Sequence, residues 1–270
     1  MLVDCHAHIY PPEFTDIPTI LANAKSFSIS AIINVPESLP TAHTVLSLSH
    51  LHPLLHPSLG LHPVQPATAS TPAHSITLAD LPPILSLIQS HSSELTSIGE
   101  CGLDFSPHVL ALTPHIPPSD LKLIQQRVFA AHITASVDLN IPLNVHSRQA
   151  GHYAVDMVVA SGARALFHAF DGKAGYAMRA VRAGNLVSVA PSVVRSEGLS
   201  KLVKAVPIES LVLESDSPAL AAVQGEMNQP SEIRVACEAV AQIKGMRFED
   251  VERITTENAL RFFPNLKLVE

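Results

Sequence analysis

The 270-residue chain has no tryptophan and only three cysteines, Cys5, Cys101 and Cys237. The cysteines are odd in number, scattered and free of any Cys-x-x-Cys pair, which excludes a secreted disulfide framework and fits a reducing compartment. Lysine and arginine form no run, and the formal net charge is −7. A broad basic groove for long nucleic acid and a basic localisation segment are thereby excluded. No apolar stretch reaches the roughly 18 to 20 residues that cross a bilayer, and the N-terminus lacks the basic region and cleavage site of a signal peptide. These absences predict a soluble protein with no membrane association.

Apolar residues make up 47% of the chain, enough to bury a large core, and at this length α/β barrels commonly form a single domain. One domain is expected across residues 1–270. Short β-type runs alternate with longer helical ones from end to end, which is the signature of βαβ units around a parallel sheet. The strand candidates are Leu2 to Cys5, Ala31 to Val35, Leu54 to Leu61, Leu95 to Ile98, Pro142 to Val145, Ala165 to Phe167, Leu186 to Val189 and Leu211 to Leu213. Between them, helices are predicted over Leu78 to Gln89, Ser119 to Leu139 with Ser119 as N-cap, Ala174 to Ala183 and Leu199 to Ala205. A helical tail follows from Ser231 to Phe263. This alternation predicts the fold class: α/β, a (β/α)₈ TIM barrel. Pro63 to Pro83 and Pro107 to Pro118 read as surface loops after strands three and four, on the face where barrel enzymes carry their sites.

The most informative stretch is Asp4-Cys5-His6-Ala7-His8. Side chains two apart in a strand share a face, so His6 and His8 can grip one divalent ion. A lone His-x-His proves little among fifteen histidines, but Glu100, His146, His168 and Asp216 each stand at or just past the end of a short apolar run. Four histidines and two carboxylates delivered by separate strands predict a two-metal hydrolytic site at the C-terminal mouth of the barrel. One ion would be held by His6, His8 and Asp216 and a second by His146 and His168, with Glu100 bridging them. This donor set suits Zn²⁺, Mn²⁺ or Fe²⁺ better than Mg²⁺, which prefers oxygen ligands. A shared water would become the nucleophilic hydroxide near neutral pH. Two divalent cations are expected per chain, Zn, Mn or Mg. Their charge outweighs the two carboxylates and would attract an anion locally.

Further roles follow from position. Asp216 is expected to double as general base. Asp4 and Glu214, each two residues before a ligand and deeper in the strand, are read as supporting or capping groups. Arg148, two residues past His146, offers a planar fork for a phosphate oxygen, with a surface salt bridge as the competing role. His62 is placed to contact substrate or to orient a ligand. His50, His52 and His56 are read as solvated or structural residues in helix or loop contexts, and Cys5 and Cys101 as core packing on the opposite strand face. Phe105, Tyr153 and Phe170 are the aromatics near the site, with core packing as their competing role.

Seven stretches resemble one known family in its order: Val3-Asp4-Cys5-His6-Ala7-His8, Gly60-Leu61-His62-Pro63, Ile98-Gly99-Glu100-Cys101-Gly102-Leu103-Asp104-Phe105, Asn144-Val145-His146-Ser147-Arg148, Phe167-His168-Ala169-Phe170, Leu213-Glu214-Ser215-Asp216-Ser217-Pro218 and Thr256-Glu257-Asn258-Ala259. The chain resembles the TatD-type metal-dependent deoxyribonucleases of the amidohydrolase superfamily, and most nearly the eukaryotic TatD-domain-containing deoxyribonucleases. The resemblance implies a two-metal site on His6, His8, Glu100, His146, His168 and Asp216. It also implies hydrolysis of DNA phosphodiesters, as a 3′-to-5′ exonuclease, within nucleus or cytoplasm. Ser215 stands where the family usually has threonine, and Gly151-His152 and Asp171-Gly172 resemble the eukaryotic subgroup. With an acidic chain lacking tryptophan, a short single-stranded end is a better substrate than a long duplex. No obligate protein partner is expected. The same chemistry also fits an ester or amide hydrolase, such as an aminoacyl-tRNA deacylase or a small-molecule amidohydrolase. A barrel kept only for binding would have lost ligands, and all six are present.

Overall fold

Apolar β-branched runs separated by capped amphipathic segments assemble here into a barrel with its helices outside. The structure, a computed structural model, describes residues 1–69 and 71–269. Eight strands form one sheet in sequential order: β1 (Leu2–Ala7), β2 (Ile29–Asn34), β3 (Leu55–Leu59), β4 (Ser97–Gly102), β5 (Leu143–His146), β6 (Ala165–Phe167), β7 (Leu186–Val189) and β8 (Leu211–Leu213). Adjacent strands pair in parallel, for example Val3 opposite Ala31, Gly102 opposite His146 and Leu166 opposite Leu186. The first and last strands meet just beyond β8, where the His8 N–H donates to Ser217 O at 2.8 Å and the Asp216 N–H to His6 O at 2.9 Å. These two bonds set ligand residues from opposite ends of the sequence side by side.

The crossovers are α1 (Ile17–Ser26), α2 (Leu39–Leu51), α3 (Leu81–Ser90), α4 (Pro107–Leu110), α5 (Pro118–Leu139), α6 (Gly151–Ser161), α7 (Ala174–Arg182) and α8 (Glu197–Ala205), followed by α9 (Ile233–Lys244) and α10 (Phe248–Phe262). Their starts follow capping chemistry. The Asp16 carboxylate accepts from Thr19 N–H, the Ser38 hydroxyl forms a reciprocal box with Thr41, and the Ser196 hydroxyl accepts from Leu199 N–H.

Several boundaries differ from expectation for local reasons. α5 begins at Pro118 rather than with Ser119 as cap, because proline suits the first turn, where its missing N–H costs no bond. The predicted helix from Leu78 opens as a 3₁₀ turn, Leu78–Asp80, closed by a Thr77–Asp80 box, before α3 begins. The tail is two helices, broken where Gly245 takes φ 65°. The first proline-rich segment, in which Ser70 lies outside the described residues, carries a two-residue antiparallel pair, Val64–Gln65 with His74–Ser75. The second carries α4. His56 lies in β3, not in a loop or helix, and is half-buried with Nε2 unpartnered.

The tail after α10 crosses the N-terminal end of the barrel. Asn265 Nδ2 donates to Leu95 O at 2.8 Å and Val269 N–H to Ser30 O at 2.8 Å, both at strand starts. Phe262, Phe263 and Leu266 pack with Leu166, Leu186 and Val212 in one apolar cluster. No helix among the described residues is long and apolar enough to cross a membrane.

Candidate metal centre

All six predicted ligands converge at the C-terminal mouth, with Glu100 at the centre of their contacts. Its Oε1 lies 2.9 Å from His146 Nδ1 and 2.8 Å from His168 Nε2. Its Oε2 lies 3.6 Å from His6 Nε2 and 3.5 Å from His8 Nε2. Asp216 Oδ1 faces the same two imidazoles at 3.5 and 3.4 Å. One carboxylate therefore touches two groups of histidines, and a second serves only the His6–His8 side.

The backbone supplies this convergence. Strand alternation aims Glu100 inward, and the glycines on either side of it let β4 press against β5. A Cβ at Gly99 would strike the Asn144 carbonyl, and one at Gly102, which has φ 144°, would strike the His146 carbonyl. Asp216 and Ala169 sit at φ 52° and 41°, left-handed conformations that cost non-glycine residues energy and mark the turns that place Asp216 and His168.

The outer ring atoms fix which nitrogen is free. His8 Nδ1 lies 2.7 Å from Val35 O, a carbonyl that only accepts, so Nδ1 carries the proton and Nε2 faces the carboxylates. His6 Nδ1 lies 2.8 Å from Asn144 Oδ1, with the same result, and its ring stacks on His168 at 3.8 Å. His146 is turned the other way: Nε2 contacts Asp104 Oδ2 at 3.1 Å and Nδ1 faces Glu100. A carboxylate behind a ligating imidazole is a recurrent way to orient the ring and raise its basicity. His168 Nδ1 has no hydrogen-bond partner and lies 3.9 Å from Glu214.

The residues expected to support the ligands lie around the cluster. Asp4 accepts from Ser215 N–H at 2.8 Å, and Glu214 from Ala169 N–H at 2.9 Å and the Ser188 hydroxyl at 2.5 Å. His62 Nε2 lies 3.3 Å from His146 Nδ1 and 3.7 Å from Glu100, while its Nδ1 faces both the N–H and the carbonyl of Val64. Arg148 is exposed and lines the cleft of about 290 Å³ above the cluster with Tyr10, Glu37 and His62. It also lines a neighbouring groove of about 590 Å³ with Phe170 and Lys173. Phe105 and Phe170 are buried and Tyr153 is exposed. Cys5 and Cys101 are buried free thiols. Two orienting residues were missed, Asp104 and Asn144. Alternation carried one signal for them, since Asn144 stands two residues before His146 and so shares its face.

Burial and crowding shape the charges. Burial alone would lower His8, but the Asp216 hydrogen bond and the Glu100 charge push it up to about 10. Burial likewise opposes charge on His146, which its bonds to Asp104 and Glu100 push up to about 9. Burial and the neighbouring His168 hold His6 down to about 3. Burial would raise Glu100, yet the surrounding imidazoles keep it well below the usual carboxylate range. The mutual contacts thus favour ionised Glu100, Asp216 and Asp104 beside protonated His8 and His146. The donor chemistry fits divalent metal: His6, His8 and Asp216 present ligand atoms within 4.8 Å of one another, as do His62, Glu100 and His146.

An eight-stranded parallel barrel with an imidazole–carboxylate cluster at its C-terminal mouth defines a class, the metal-dependent hydrolases of the TIM-barrel type. Comparison with known proteins narrows it. The model of the family described as TatD related DNase matches residues 3–264, and the chain belongs to that family. Deoxyribonuclease TATDN3 of Homo sapiens is 39% identical over 269 residues, covering 98% of this chain and 96% of that protein. The uncharacterised metal-dependent hydrolase YabD of Bacillus subtilis is 30% identical over 271 residues, covering 97% and 99%. The crystal structure of YJJV, a TatD homologue from Escherichia coli, superposes with a TM-score of 0.83 at 20% identity, over 97% of this chain and 98% of that one.

Proposed function

We infer that residues 1–270 act as one hydrolase domain that cleaves DNA phosphodiesters at a two-metal site. The observation that carries this is the split contact of Glu100, with Oε1 on His146 and His168 and Oε2 on His6 and His8. That arrangement suits a carboxylate bridging two cations. Such cations, Zn, Mn or Mg, make water a nucleophile near neutral pH and draw charge from the phosphoryl oxygens. His6, His8 and Asp216 would hold one, and His146 and His168 the other.

The protein's own groups do the rest. Asp216, kept ionised despite its burial by His8 and the neighbouring imidazoles, accepts the proton of the attacking water and returns it to the leaving oxygen. Arg148 presents its guanidinium to a non-bridging phosphate oxygen at the cleft rim. Burial pushes His62 down to about 4, so it is neutral at physiological pH and offers a hydrogen bond to substrate without adding charge. The cleft of about 290 Å³ suits a strand end better than a duplex. A 3′-to-5′ direction of attack follows from the family resemblance.

The test is cleavage of end-labelled single- and double-stranded DNA by metal-stripped protein restored with Mg²⁺, Mn²⁺ or Zn²⁺, beside Glu100→Ala. Restored cutting that vanishes in the variant is expected, and the product ladder gives the polarity. If both proteins are silent with every metal while two ions per chain are found, DNA is the wrong substrate and an ester or amide becomes the reading.

A further inference from the structure

The aromatic side chains of this molecule are distributed unevenly. All three tyrosines stand at the catalytic end. Tyr10 is buried against His8, with ring centroids 6.0 Å apart. The other two are exposed, Tyr153 at 45% and Tyr176 at 36%, in the first turns of α6 and α7, the helices that leave β5 and β6. His152 sits between them, its ring 3.9 Å from Tyr153 and 5.6 Å from Tyr176. The planes incline by only 39° and 40°. The result is a tilted stack of three rings on the rim, with two tyrosines exposed together.

Position and charge say what lies on that row. Tyr153 packs edge-on against Phe105 at 5.4 Å, and the Phe105 N–H donates to Arg148 O. The row therefore begins beside the arginine of the metal cleft. Lys122 Nζ lies over the Phe105 ring at 5.2 Å, and Lys173 shares the neighbouring groove with Arg148. Two carboxylates lie nearby: Asp156 is paired with Arg179, and Asp171 stands beside Lys173 within the groove. An exposed aromatic stack bordered by Lys122, Arg148 and Lys173 matches a strand that alternates bases with phosphates. Stacking of this kind tolerates any base and needs the base to be unpaired.

We propose that His152, Tyr153 and Tyr176 form a base-stacking platform for single-stranded nucleic acid running out from the metal cleft. The proposal rests on the nuclease reading above and gives its substrate class: strands whose first bases beyond the scissile phosphate are unstacked. A duplex end would be engaged only after fraying.

The test uses wild type, Tyr153→Ala/Tyr176→Ala and Tyr153→Phe/Tyr176→Phe, with thermal melting as the fold control. Fluorescence anisotropy with a labelled single-stranded oligonucleotide reads binding without requiring turnover. The alanine pair is expected to weaken binding about tenfold or more, and the phenylalanine pair, which keeps the rings, to match wild type. In metal-restored assays the alanine pair should raise KM for the oligonucleotide by the same factor, leaving hydrolysis of methyl p-nitrophenyl phosphate unchanged. Wild type should lose the same factor on an oligonucleotide carrying abasic sites. Equal binding by wild type and the alanine pair overturns the platform, even if DNA is cut. Tyrosine-dependent binding without cutting at any metal upholds the platform and overturns the nuclease reading. Absence of both binding and cutting overturns the two together.

Discussion

At the C-terminal mouth of the barrel, five imidazoles crowd to within 2.8 to 3.7 Å of Glu100, two turn residues hold left-handed backbone, and His168 Nδ1 has no partner. At the N-terminal end, Phe262, Phe263 and Leu266 pack among Leu166, Leu186 and Val212. There the Asn258 side-chain amide donates to Ile208 O and Leu211 O, both at 2.8 Å. One end collects groups that oppose one another unless something charged is placed among them. The other packs apolar side chains together and pairs the Asn258 amide with two carbonyls. The same scaffold thus separates chemistry from stability by its full height, and the Thr256-Glu257-Asn258-Ala259 stretch, one of those that resemble the family, belongs to the second end.

The sharpest way to break this contrast is to exchange the two kinds of damage. Glu100→Gln should reduce metal-restored turnover by about 10³-fold or more while melting within a few degrees of metal-free wild type. Phe263→Ala should do the reverse. It is expected to lose about 3 to 5 kcal/mol in a denaturant titration, with kcat of the folded fraction unchanged. Equal effects of both variants on both readouts would end the comparison. Within the upper end, Asp104→Asn sharpens it, because the amide keeps the shape but not the charge behind His146. Metal affinity is expected to fall about 10- to 100-fold, measured by competition with a chelator.

The smallest and most graded effect is on pH. His8 and His146, pushed up to about 10 and about 9 in the ligand-free cluster, are protonated at pH 7. Metal must displace those protons, so affinity rises with pH, about tenfold per unit for each proton released, and levels off above the raised values. Calorimetry in buffers of different ionisation enthalpy would count the protons. Release of none at pH 7 contradicts the protonated cluster.

Much of the barrel was legible beforehand because its two signals are local. Short apolar runs mark strands whatever they pair with, and β6, β7 and β8 match their predicted limits to the residue. Glu100 was expected just past a strand and lies within β4, since Gly-Glu-Cys-Gly lacks the apolar pattern yet pairs with β5. The six converging residues were visible because each stands near the C-terminal end of a strand, where the fold itself imposes convergence. What orients them was not. Asn144 reaches His6 across 138 positions of sequence and Asp104 reaches His146 across 42. No periodicity encodes a contact made only when two strands face each other. The aromatic row was half visible: Tyr153 was singled out together with Phe105 and Phe170, which turn out to be buried, whereas Tyr176 lies on a different helix.

The backbone bonds that join β1 to the segment after β8 carry a consequence for biosynthesis. Asp4 and Ser215 are 211 positions apart, and Asp216 comes to His6 and His8 only when these ends meet. A nascent chain on the ribosome can pair β1 through β7 while Asp216 is still missing from beside His6 and His8. The ligand cluster is therefore incomplete until the eighth strand has left the exit tunnel, and a chain interrupted before that point lacks Asp216.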